Sequence, residues 1–271
     1  MRETREARDL CDFELILEAY KYRGYSKAAR SIHMRLLHRQ PVVQMNVKKI
    51  RRLMRKYGLK CPVRKPNPYR RMAAAMKTSN VAPNLLNRQF RAFGPRKVLL
   101  TDITYLFYGN HKKGYLSVIM DAYTKQALSY VASESLEVDF VLETVNGLLA
   151  RHKISLTAET LINSDQGCHY TSHKFIEIIK NAELRQSMSR KANCWDNAPQ
   201  ESFFGHMKDE INIDDCTCFA EVSAVIDDWM AYYNADRYQW GLAKLSPNEY
   251  YEFLTTGQYP LPSELLAASG T

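Results

Sequence analysis

Residues 97–108 read KVLLTDITYLFY, a β-rich run in which side chains of alternate positions differ in character, the period of a strand. Outward from it the pattern repeats. HKKG (111–114) marks a turn, GYLSVIMDAYT (114–124) reads as a second strand and KQALSYVAS (125–133) as a third. These three form an antiparallel meander with tight turns. EVDFVLETVNGLLARHK (137–153) then has a helical apolar side made by Phe140, Val141, Val145, Leu148 and Leu149. TLINSD is a short buried strand, SHKFIEIIKNAE a helix and LRQSMS a further strand. NAPQESFFGHMKDEI and FAEVSAVIDDWMAYYN are two longer helices. The order predicts an α/β domain, a mixed five-stranded sheet flanked by helices.

The 271 residues allow one sizeable domain and one or two small ones. Charge divides them sharply. Residues 1–97 hold 25 Lys and Arg against 6 Asp and Glu, while the remainder holds 13 against 23. No acid occurs between Ala19 and Thr101. A basic stretch of this length points to a polyanionic partner, DNA or RNA, with a solvated basic face or arm as the alternative. Six cysteines at 11, 61, 168, 194, 216 and 218 form no C-x-x-C pair, so free thiols are expected. Cys168, His169 and His173 lack the paired spacing of a zinc site. No run approaches the roughly 18 apolar residues of a membrane span, and the charged N-terminus lacks a signal-peptide core. A cytoplasmic protein, nucleoid-associated when on DNA and without a membrane partner, is expected.

Within the basic half, Asp12–Leu59 reads as two or three short helices. Phe13, Ile16, Leu17 and Tyr20 recur at helical spacing, and Gly24 with Ser26 makes a break and a cap. NVKKIRRLMRKYGLK starts on Asn46, a good cap, and stops at Gly58. Val47, Ile50, Leu53 and Met54 form its apolar seam, and Lys48, Lys49, Arg51, Arg52, Arg55 and Lys56 cover the rest. Such a helix suits a helix-turn-helix unit on DNA, by base reading or by phosphate contact alone. The expected division is 1–60 a helical DNA-binding domain, 61–94 a basic linker with room for one short helix, 95–255 the catalytic core with C-terminal helices, and 256–271 a tail.

Three acids fall where this element order brings them together. Asp102 sits mid-strand among apolar neighbours, where a carboxylate is costly without a cation. Asp165 ends the TLINSD strand, and Glu201 lies near the start of a helix. Hard oxygen ligands with open positions suit Mg²⁺ or Mn²⁺. Two ions about 4 Å apart support an in-line phosphoryl displacement, Asp102 bridging and Asp165 and Glu201 each holding one flank. Lys208, seven residues after Glu201, returns to nearly the same helix face and is placed to meet a DNA phosphate.

Asp165 and Glu201 have 35 residues between them, and here the chain resembles the D,D-35-E recombinases of the retroviral-integrase superfamily. It looks most like the second-frame transposases of a large bacterial insertion-sequence family. The strings are TDITY, SDQGCHYTS, SMSRKANCWDNAPQESFFGHMKDE and YYNADRYQWGLAKLSPNEYY, with NVKKIRRLMRKYGL upstream, spanning about residues 12–251. The resemblance implies an RNase H-like catalytic core, Mg²⁺ dependence, and cleavage and joining of terminal inverted repeats into target DNA. It also implies an upstream-frame protein or fusion as partner, to which full recognition of the element ends is assigned. Reactions of this kind need two ends held together, so a homo-multimer on DNA is expected. In relatives the C-terminal motif reads Tyr-Asn-x-x-Arg-x-His; here Gln239 takes the His position.

Further residues invite second readings. Asp121, at the end of the second strand, suits a turn or supporting role better than a ligand role. Asp196 and Asn197 precede the Glu201 helix as caps, with DNA contact the alternative for Asn197. Trp195 is either core or a stacking surface for a splayed base, and His169 and Tyr170 either face substrate or pack the loop. A non-catalytic DNA-binding regulator and an RNA–DNA hybrid nuclease are the alternative functions.

Overall fold

The computed structural model describes residues 2–25, 27–61, 82–83, 85–86, 93–189 and 198–262. The chain forms two compact units, one from residues 67–231 and one that combines residues 1–66 with 232–271.

The larger unit is built on five strands: β1 (Val98–Tyr108), β2 (Lys112–Asp121), β3 (Ala127–Ser133), β4 (Leu161–Ser164) and β5 (Arg185–Met188). Their order is β3-β2-β1-β4-β5. The meander β1-β2-β3 is antiparallel, while β4 and β5 run parallel to β1. This is the mixed sheet expected from the sequence. The first turn falls earlier than expected: Gly109 and His111 take left-handed backbone (φ 48 and 59), and Lys112 and Lys113 already belong to β2.

Alternation in β1 sorts its side chains onto two faces. Leu99 and Ile103 join Ile119 and Leu128 under α4 (Val138–His152) and α5 (His173–Asn181), with Phe140, Val141, Val145, Leu148, Phe175 and Ile179 closing this core. The even residues Val98, Leu100, Asp102, Thr104, Leu106 and Tyr108 take the other face. There α6 (Ala198–Glu210) packs against β1, and Phe203 meets Trp229 of α7 (Phe219–Ala235) edge-on at 5.3 Å. Ser172 caps α5 by accepting the Phe175 amide.

In the smaller unit α1 (Arg2–Lys21), α2 (Ala29–Leu37) and α3 (Val47–Lys56) enclose Ile16, Ala19, Ile32, Leu36, Ile50, Leu53 and Met54. The first helix is longer than its apolar spacing announces. The cap expected at Ser26 lies outside the described residues; Ala28 precedes α2 without a side-chain cap. Asn46 does cap α3, accepting the Lys48 amide, and Gly58 ends it at φ 69. The final helix, α8 (Pro247–Thr256), opens with a reciprocal box between Ser246 and Glu249. Leu245 and Leu261 pack on Leu37 of α2, so the segment from Tyr232 onward groups with the N-terminal helices. The reason is apolar: Leu37, Val42, Leu245, Tyr250 and Phe253 share one cluster. Most of the expected linker, and any helix in it, lies outside the described residues.

Candidate active site

The parallel pairing of β1 with β4 sets the site. Leu99 lies opposite Ile162 and Leu100 opposite Asn163. Two residues further in the same register, Asp102 stands across from Asp165, where β4 has just ended. Neighbouring strands are about 4.8 Å apart, and both aspartates lie near enough to the same buried tyrosine to act on it. A local signature of their charge is Tyr170. Its buried phenol is held well above the usual tyrosine range, first by burial and then by the negative charges of Asp102 and Asp165.

Each aspartate is steadied by backbone. Asp102 Oδ1 accepts the Ile103 amide at 2.8 Å, and Asp165 Oδ1 accepts the Gly167 amide at 2.8 Å. A Cβ at Gly167 would stand 2.9 Å from Asp165 Oδ1, so any larger residue here would displace that carboxylate. The adjoining Gln166 Nε2 donates to the Ser189 carbonyl at 3.1 Å, tying the loop to the end of β5.

Glu201 arrives from the other side. Its neighbour Gln200, fully buried, donates from Nε2 to the Val118 carbonyl at 3.2 Å. Val118 is the β2 residue directly opposite Asp102. Gln200 therefore anchors the first turn of α6 one strand away from Asp102. Sequence reasoning passed over Gln200; the only available signal was a polar residue on the apolar side of its helix. Lys208 is exposed further along α6 and lines a groove of about 180 Å³ with Tyr105, Leu106, Phe107 and Asp214. The exposed aromatics Tyr105 and Phe107 were likewise not singled out.

Among the described residues no three His, Cys, Asp or Glu side chains form a ready-made metal cage. The donor chemistry nonetheless fits a hard divalent ion. Mg²⁺ keeps several waters and is held by one or two carboxylates together with substrate phosphates, which matches two adjacent aspartates at an open strand end better than a closed four-ligand site. Cys168 and His169 serve the loop: His169 Nε2 donates to the Leu136 carbonyl at 2.7 Å. Cys11, Cys61, Cys168, Cys216 and Cys218 are free thiols. Asp121 belongs to the architecture. It is fully buried and ion-paired with Arg96 at 3.0 Å, on the face of β2 opposite to Val118. Trp195, Asp196 and Asn197 lie outside the described residues.

The basic helix α3 resolves into two stripes. Lys49, Arg52 and Lys56 face α1, where Asp12, Asp9 and Glu6 receive them. Lys48, Arg51 and Arg55 occupy an exposed stripe on the same helix. Hydrogen bonds from Arg52 and then Lys56 hold the Asp9 carboxyl well below the usual aspartate range. The linkage has one sign: a depressed carboxylate contributes stability above its unfolded value near pH ~4 and loses it as pH falls through the depressed value. Urea unfolding of the helical unit is expected to weaken steadily below pH ~4, and Asp9→Asn to flatten that dependence. An unchanged acid limb in the variant rules the pairing out as its source.

Three family models match the chain in order. An HTH-like domain covers residues 6–67, and integrase core domain models cover 86–194 and 182–247. Fold and site thus define the class, a helix-turn-helix-like domain joined to an integrase core. The InsK protein for insertion sequence element IS150 of Escherichia coli (strain K12) is 33% identical over 84% of this chain and 76% of its own length. The transposase for insertion sequence element IS904 of Lactococcus lactis subsp. lactis is 31% identical over 78% of this chain and 82% of its own. The chain belongs to the family of insertion-sequence transposases. Solved structures are more distant: the HTLV-2 integrase catalytic core domain in complex with magnesium aligns at 15% identity, over 58% of this chain and 97% of its own, with a TM-score of 0.43, too low to build on. Among the described residues no helix is long and apolar enough to cross a membrane.

Proposed function

We propose that the chain cleaves and joins DNA strands at the ends of an insertion element, with Asp102, Asp165 and Glu201 as the three acting carboxylates. The observation that carries this reading is the β1–β4 register, Leu99 opposite Ile162 and Leu100 opposite Asn163, which when continued by two residues pairs Asp102 with Asp165 just past the end of β4. The Gln200 bond to the Val118 carbonyl, which ties the first turn of α6 to the β2 residue opposite Asp102, supports it.

Asp102 and Asp165 would hold a divalent ion, with Glu201 closing the third side. Mg²⁺ or Mn²⁺, one ion or two, supplies Lewis acidity toward phosphate oxygens and a nucleophile at neutral pH. The chain does the rest. The buried Tyr170 and its apolar neighbours keep the floor of the site dry, which strengthens every charge interaction above it. Gly167 and the Ile103 amide fix two carboxylate orientations. Lys208 meets a phosphate beside the reacting bond. In this reading a water is first directed at a phosphodiester, freeing a 3′-hydroxyl. That hydroxyl then attacks a phosphodiester of the target, whose P–O3′ bond breaks as the new one forms, so the target strand leaves with a free 3′-hydroxyl and its 5′-phosphate is joined to the element end. DNA ends, target DNA, an upstream-frame protein and further copies of the chain are the partners this chemistry calls for.

The test is cleavage and joining of labelled duplexes that carry the element's own ends, with Mg²⁺ or Mn²⁺ and the upstream-frame protein supplied. Joined products that appear only with metal support the proposal. DNA binding without any metal-dependent product favours a non-catalytic regulator instead, and cleavage confined to RNA–DNA hybrids favours the nuclease.

For DNA binding, the exposed stripe of α3 is the phosphate-contacting one. Replacing Lys48, Arg51 and Arg55 together by Gln is expected to reduce the slope of log K against log salt by about 0.9 per lost contact. Replacing Lys49, Arg52 and Lys56 should instead lower the stability of the helical unit. Equal slopes for the two triple variants would remove the distinction.

A further inference from the structure

The C-terminal segment of the smaller unit carries a feature that the catalytic reading leaves unused. Trp240 stands in a short 3-10 turn (Trp240–Leu242) and keeps 37% of its surface exposed, although its neighbours Leu242 and Leu245 are fully buried. Its ring is ringed by cations. The Arg30 guanidinium of α2 lies 5.4 Å from its centroid and Lys244 Nζ 5.5 Å. The His33 ring is 6.0 Å away and is itself fixed by an Nδ1 hydrogen bond to the Met45 carbonyl at 2.8 Å.

The backbone is bent to make this arrangement. Ala243 and Lys244 both adopt left-handed conformations, φ 53 and 66, which neither residue favours. Two consecutive non-glycine residues held this way are strained and persist only because their surroundings hold them. What holds them is a rigid seam to the helices. Asp236 accepts from Arg35 at 3.2 Å and from Tyr22 at 3.3 Å. His38 stacks flat on Tyr238 at 3.6 Å and meets Glu249 at 3.3 Å. The turn is therefore a fixed extension of the helix-turn-helix-like unit, and its one outward-facing large group is an indole flanked by positive charge.

The exposed part of the indole, with the exposed Arg30 guanidinium over its ring, offers a stacking surface to a nucleobase irrespective of sequence and a cation for the adjoining phosphate, while Lys244, only 3% exposed, backs the ring from inside the fold. A paired duplex presents base faces only at its ends, so the chemistry selects an unpaired or terminal nucleotide. We infer that Trp240, with Arg30, is a second DNA-binding surface, separate from the carboxylates, that stacks an unpaired or terminal base of the DNA. The inference rests on the chain being a DNA-joining enzyme, but its readout is binding and not catalysis.

The experiment uses the full chain and a short single-stranded oligonucleotide, with a blunt duplex of equal length alongside. Tryptophan emission is titrated in the wild type and in Trp240→Phe; the difference isolates Trp240 from the buried Trp229 and from Trp195. The wild type is expected to show quenching by the single strand that Trp240→Phe lacks in large part. Trp240→Ala is expected to bind the single strand about tenfold more weakly, with duplex affinity changed less than about twofold. Arg30→Gln, at an exposed position that leaves the fold intact, should reduce the salt slope for the single strand by about one. If Trp240→Ala fails to fold, Trp240→Phe and Arg30→Gln decide the matter on the same two readouts. Wild-type binding with quenching and salt slope equal in all proteins overturns this surface while leaving the transposase reading intact. Absence of any DNA binding by the wild type overturns both.

Discussion

Asp102→Asn and Glu201→Gln are each expected to lower metal-dependent strand joining by about a thousandfold or more while leaving the chain folded. The size follows from what is removed. A carboxylate that holds a divalent ion contributes several kcal/mol of transition-state charge stabilisation, and about 4 kcal/mol corresponds to a factor near 10³. An amide of the same shape keeps the neutral contacts and loses the charge. Stability is expected to move the other way at Asp102, because Asp165 stands across from it in the β1–β4 register and Tyr170 feels both charges. Removing one of two facing carboxylates relieves repulsion. Single-turnover joining and urea midpoints measured on the same preparations therefore separate a role in chemistry from a role in folding. A Glu201→Gln protein that joins strands at the wild-type rate would mean that α6 contributes its third carboxylate to nothing.

Asp121→Ala is expected to do the opposite, costing about 3–5 kcal/mol of stability, the usual loss when one partner of a buried ion pair is removed. Asp121 has no exposed surface, and Arg96 beside it is 6% exposed. Both oxygens are engaged. Oδ2 accepts the Arg96 amide and its guanidinium, each at 3.0 Å, and Oδ1 accepts the Tyr123 amide at 2.8 Å. Arg96 in turn donates to Gln126 Oε1 at 2.8 Å and takes a left-handed backbone, φ 63. The pair joins the entry of β1 to the β2–β3 turn, so its loss leaves a buried guanidinium uncompensated at the edge of the sheet. Chemical denaturation with the m-value checked is the measurement. A change below about 1 kcal/mol would show that the guanidinium finds water or another acceptor, contrary to the usual cost of a broken buried pair.

The two aspartates show how far local reading reaches. Both sit on strands among apolar residues, and the sequence already favoured Asp102 for chemistry and Asp121 for support. That preference came from position: mid-strand for Asp102, strand end beside a turn for Asp121. For Asp121 the packing agrees, for a reason no window of residues contains, since its partner Arg96 lies 25 positions upstream. Gln200 escaped notice because its value depends on the Val118 carbonyl, 82 positions away. Basic residues of α3 looked equivalent for the same reason; only the arrival of Glu6, Asp9 and Asp12 from α1 divides them.

Strand and helix identity in the described residues of 97–235, the cap at Asn46, the stop at Gly58 and the kinship with insertion-sequence transposases were all determined by the sequence itself. Periodicity and capping are local, and the motif strings follow one another in order along the chain. The tertiary structure alone decided which ends of which strands meet, which α3 cations are neutralised, and where the segment after Tyr232 packs. The integrase core pattern runs to residue 247, yet Leu245 is buried against Leu37 of the helical unit. Apolar burial has no direction and no sequence address, so such a segment settles wherever a complementary apolar face is nearest in space.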